Sequence, residues 1–171
     1  MDIYCIEPGQ SPIETVQIAQ ANDRLIFPHV DSCLAIIFIL ANGRFVGGHV
    51  PLQMNLNAPL SAGNNARRIT TAMLRIRYYE GNGSAINKLI TVGDDSYNGF
   101  GPAMDYNLNW IDNQVNPVNG YLHLDSGLVV GGVDVFVNDV NHTLRVRATN
   151  VPLPWRYSQN INHLPNGVIN L

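Results

Sequence analysis

The amino-acid sequence predicts an α+β fold: a β-rich, mixed or antiparallel, sandwich-like sheet with one main helix. Three observations carry this. Short apolar runs punctuated by Gly, Pro, Asn and Asp recur along the chain, the pattern of strands and turns. One segment, near 65–80, instead has apolar residues spaced by three and four, the period of a helix face. The 171 residues are 46% hydrophobic and only 13% charged, enough apolar material for one core, so a single domain over 1–171 is expected.

The elements follow in order. "MDIYCIEP" reads as a short first strand ending at Pro8, with Cys5 as a core residue. "SPIETVQIAQAND" has two readings. Ser11 and Pro12 can open a helix, while Val16 and Ile18 alternate with polar residues as in a strand. "CLAIIFIL", from Cys33, lacks alternation and reads as a strand covered on both faces. Asn42-Gly43 then signals a two-residue hairpin turn. That turn pairs Ala41 with Arg44 and sets position 36 opposite His49 on the returning strand "FVGGHVPL". Gly47 and Gly48 weaken this strand, so a bulge or a close backbone approach is expected there, with room for a substrate chain.

"SAGNNARRITTAMLRIRYYEG" is the helix, with Ala66, Ile69, Ala72, Met73 and Ile76 on one face and Gly81 and Gly83 stopping it. "SAINKLITVG" is a strand, and "AMDYNLNWID" alternates Met104, Tyr106, Leu108 and Trp110 as a half-exposed one. "NGYLHLDSGLVVGG", "VDVFVND" and "HTLRVRAT" supply further strands, the last two as a hairpin around Val140 and Asn141. The Pro- and Asn-rich tail wraps the surface.

Several functions are set aside by composition. Net charge is −3, and the cluster Arg67, Arg68, Arg75 and Arg77 is too small for a nucleic-acid footprint. The apolar run 34–41 is too short to span a bilayer, and the start lacks secretory-signal character, so a protein cytoplasmic as made is expected. Two cysteines make no disulfide framework, and no Cys and His have zinc-finger spacing. No metal or cofactor is therefore expected. Asp94-Asp95 reads as a turn pair, and His123, His142 and His163 as surface or hairpin residues.

Cys33 and His49 carry the candidate chemistry. A thiol is mostly protonated at neutral pH, and a histidine in hydrogen-bond reach takes that proton and yields a thiolate that attacks a carbonyl carbon. The imidazolium returns the proton to the leaving nitrogen. A third group usually orients the imidazole, and backbone N–H groups stabilise the oxyanion.

"DSCLAIIFILANGRFVGGHVPL" resembles the core of the CheD chemoreceptor glutamine deamidases. Ser32-Cys33 opens the apolar strand, Gly47-Gly48-His49 and Leu52 follow the turn, then the helix and another strand. The separation of sixteen residues from Cys33 to His49 also suits the wider superfamily, which includes the cytotoxic necrotizing factor catalytic domain and the Burkholderia lethal factor. The resemblance covers about residues 28–92. It implies Cys33 as nucleophile, His49 as general base and acid, and a protein substrate carrying a target Gln. A monomeric toxin- or effector-like member, delivered into a host cell, fits the chain beyond residue 92, which does not look like CheD. Two positions depart from the pattern. Asp31 stands where the family has Gly, and Phe27 stands where CheD and the lethal factor have a Thr six residues before the Cys. In the necrotizing factor a main-chain carbonyl fills that orienting role. Phe27, His29, Asp31 and Ser32 are the candidate orienting or oxyanion residues. A non-catalytic β-rich binding module is the alternative, and a thiol protease or transglutaminase would share the thioester chemistry.

Overall fold

The computed structural model describes residues 1–6, 15–31, 33–51, 84–93, 121–125, 132–138, 142–147, 155–157 and 168–171. The strands are β1 (Asp2–Tyr4), β2 (Thr15–Ala19), β3 (Arg24–Val30), β4 (Cys33–Leu40), β5 (Phe45–Pro51), β6 (Ile86–Gly93), β7 (Tyr121–Asp125), β8 (Val133–Val137), β9 (Thr143–Arg147), β10 (Trp155–Tyr157) and β11 (Val168–Asn170). They form two mixed sheets, ordered β1-β3-β8-β9-β11 and β10-β7-β6-β4-β5-β2. Within them β1 runs parallel to β3 and β6 parallel to β7, and all other pairs are antiparallel.

The α+β expectation is corrected. Among the described residues every element is a strand and none is a helix. The helix read near 65–80 and the strand read at 103–112 lie outside the described residues. The physical reason is that the two sheets cover each other. Leu25, Phe27, Val30, Val133, Val135, Val137, Leu144 and Val146 face Ala19, Ala35, Ile37, Ile39, Phe45, Ile90, Val92 and Leu124 in one buried cluster, so among the described residues the core between the sheets is built from strands alone. No helix among the described residues is long and apolar enough to cross a membrane.

β4 is buried at all eight positions, in line with its unbroken apolar run. The segment with two readings resolves as β2, paired with β5 from Thr15↔His49 to Ala19↔Phe45. β3 is the strand that the sequence hides, because Pro28 inside "RLIFPHV" argues against a strand. The chain absorbs that proline in a bulge. Phe27 pairs with Val135 and Val30 with Val133, so β3 carries one extra residue.

The hairpin turn is longer by one residue than the Asn42-Gly43 signal suggests. Leu40 N–H donates to the Arg44 carbonyl and Gly43 N–H to the Leu40 carbonyl, which makes Ala41, Asn42 and Gly43 the loop. Gly43 takes the left-handed φ of 80° that this turn needs, and the Asn42 side chain accepts from Arg44 N–H. Register therefore moves by one, and His49 faces Ala35, not position 36. The β4–β5 ladder then runs without interruption past Gly47 and Gly48, so the bulge expected at that pair is absent.

Candidate active site

A one-residue change of register moves every side chain of a strand to the other face. In the register of a two-residue turn Cys33 and His49 would point to opposite sides of the sheet. With the three-residue turn, Cys33 pairs with Pro51 and His49 with Ala35, so the two share the face that meets the other sheet. They are diagonal neighbours, one pair apart on that face. Both are buried, at 1% and 0% exposure.

The imidazole is held from the N-terminal strand. His49 Nδ1 lies 3.0 Å from the Cys5 carbonyl oxygen. A carbonyl only accepts, so Nδ1–H donates, and in the neutral ring the lone pair sits on Nε2. Cys5, just past β1, bridges the two sheets: its N–H donates to the Ile26 carbonyl of β3, while its carbonyl reaches His49 on β5. The bidentate Arg24–Asp2 pair, at 3.0 and 2.7 Å, ties β1 to β3 just before this point.

Phe27 packs its ring edge-on to His49, with centroids 6.2 Å apart and planes at 61°. It also fills the space over Gly47. A Cβ there would collide with Phe27 Cζ and stand 2.7 Å from Leu25 Cδ2. The room that Gly47 leaves is taken by the opposite sheet, not by a path for a substrate chain. His29 is exposed and Asp31 half-buried. Ser32 lies outside the described residues.

The two thiols differ. Both cysteines are free and buried. The Cys5 Sγ lies 3.7 Å from the Gly47 carbonyl, and burial pushes its thiol up to about 12, against a smaller lowering by a hydrogen bond from the His49 backbone. Cys5 is thus a neutral core thiol at physiological pH, and its contribution to the cluster is its carbonyl. Among the described residues no group of three or more His, Cys, Asp or Glu could hold a metal ion. The carbonyl contact has no signature in sequence, since every residue carries one.

Fold and cluster together define a class: a two-sheet β sandwich with a thiol and an oriented imidazole on its shared inner face. No family model matches the chain, and no curated protein is similar to it.

Proposed function

We propose that the chain is a cysteine-dependent protein-glutamine deamidase. The observation that carries this reading is the His49 Nδ1 contact to the Cys5 carbonyl, on the same sheet face as Cys33. A carbonyl in that position does what the missing hydroxyl would do: it selects the tautomer whose Nε2 accepts a proton.

In the proposed reaction His49 Nε2 takes the Cys33 Sγ proton, and the thiolate adds to the carboxamide carbon of a protein glutamine. Backbone N–H groups near Cys33 stabilise the oxyanion. The C–N bond breaks, ammonia leaves with the proton from His49, and a thioester remains. Water, deprotonated by His49, hydrolyses the thioester to glutamate and returns the thiol. No cofactor is needed. A toxin- or effector-like protein acting on a host protein belongs to the same proposal.

The test uses mass spectrometry of candidate protein substrates incubated with the full chain. Gain of the amide-to-acid mass shift is expected with wild type and with Cys5→Ser, which keeps its carbonyl. Cys33→Ser should abolish it, and His49→Ala should lower the rate by about 10²-fold or more. Alkylation of Cys33 at neutral pH should also slow in His49→Ala. Full activity in Cys33→Ser, or a Cys33 thiol inert in both forms, would overturn the reading. The complete burial of Cys33 and His49 favours a second reading, a non-catalytic β-rich binding module, which an inert thiol would support over the first.

A further inference from the structure

The corner that carries the chain from β3 in one sheet to Cys33 in the other is built around a residue in an uncommon conformation. His29 has φ of 54°, a left-handed value rare for a residue with a side chain. It occupies the β3 bulge, where the extra residue loses its place in the ladder. Its N–H donates instead to the Asp134 carboxylate, Oδ1, at 3.0 Å. Two residues before Asp134, Gly132 has φ of 80°, and a Cβ there would stand 2.8 Å from the Val30 carbonyl oxygen and 2.9 Å from Asp31 Cβ. The start of β8 therefore grips this corner at two points, by a carboxylate and by a missing side chain.

The bulge decides what enters the core. Leu25 and Phe27 point inward, and strict alternation would send position 29 inward after them. The extra residue leaves His29 exposed and turns Val30 into the core at 0% exposure. Only positions 31 and 32 then separate Val30 from Cys33, which pairs at once with Pro51. So short a connection has little slack, and the point where Val30 enters sets where Cys33 begins the next strand.

We propose that Asp134 and Gly132 are positioning residues for Cys33, acting through the β3 bulge and not on the substrate. The proposal rests on the deamidase reading for its consequence in turnover, and on the structure alone for the corner itself. Asp134 lies inside the strand segment "VDVFVND", and no motif announces it.

The test compares Asp134→Ala, Asp134→Asn and Gly132→Ala in the full chain by hydrogen exchange and by turnover. Exchange in peptides covering 28–35 should quicken by about tenfold or more in Asp134→Ala and in Gly132→Ala, the size expected when one charge-assisted hydrogen bond or one close fit no longer holds a local structure. Peptides covering β6 should be unchanged. Asp134→Asn keeps an acceptor oxygen without the charge and should lie between wild type and Asp134→Ala, nearer to wild type. Turnover should fall in kcat with KM held in the first two variants and recover in large part in Asp134→Asn. Unchanged exchange at 28–35, or an equal rise in β6, would overturn the proposal, as would loss in Asp134→Asn equal to that in Asp134→Ala. Absence of turnover in wild type would count against the deamidase reading alone, because exchange still decides the corner.

Discussion

At Gly47 the two sheets meet closely, and this position shows what the amino-acid types beside a candidate site can and cannot reveal. The glycine pair before His49 suggests a bulge or a close backbone approach, and what meets Gly47 is instead the Phe27 ring and Leu25 side chain of the facing sheet. Phe27 in turn looks like a loss, because no hydroxyl remains to hold the imidazole. The imidazole is held by a main-chain oxygen from Cys5, 44 positions from His49, and residue identity cannot encode that contact. Gly47→Ala should therefore destabilise the domain by about 1–3 kcal/mol, the range for overpacking a filled core. The cost should shrink in a Phe27→Ala background, where the colliding ring is gone, with a coupling of at least about 0.5 kcal/mol. Urea unfolding of the four proteins measures it, and equal costs in both backgrounds would show that Gly47 is not shaped by Phe27.

At the scale of elements, apolar runs bounded by turn residues were legible in the sequence. β4, β5, β6 and the β8–β9 hairpin all follow from them. β3 was not, because Pro28 and the bulge that accommodates it break both the propensity and the alternation on which such readings depend. The turn was found and its length misjudged: Asn-Gly fits a two-residue loop, but the same glycine also serves as the left-handed third residue of a longer one. That single residue puts Cys33 and His49 on one face. Gly43→Ala tests the turn. A Cβ at Gly43 would meet only Ala21 Cβ at 3.4 Å, so its cost is conformational and should be about 1 kcal/mol. Gly43→Asn should cost less, since Asn tolerates positive φ. Thermal unfolding of the three proteins orders them, and an Ala variant as stable as wild type would contradict the left-handed turn.

For the molecule as a whole, two groups at the N-terminus, the Asp2 carboxyl and the Cys5 thiol, link stability to pH at the acid and alkaline ends of the scale. On the acid side the Arg24 guanidinium holds the Asp2 carboxyl below its ordinary 3.8, so stability from this pair is present above that value and is lost as pH falls through the depressed one. The pair is solvent-exposed, and its share is small. The alkaline side is the informative one. An unfolded chain releases the Cys5 proton near 9.0, while the folded protein keeps it to about 12. Between those values the unfolded state binds fewer protons, so stability is full below 9.0 and falls as pH rises through the window, by as much as ~1.4 kcal/mol per pH unit. Cys5→Ala removes that proton while keeping the carbonyl that holds His49. Its urea midpoint is expected to start lower than wild type near neutral pH, because a buried sulfur is lost, and to decline less steeply between about pH 9 and pH 11. The difference in slope isolates Cys5 from the tyrosines and lysines that titrate in both proteins. Parallel slopes would mean that the Cys5 thiol ionises as easily folded as unfolded, and that the strand holding the imidazole is not closed from water.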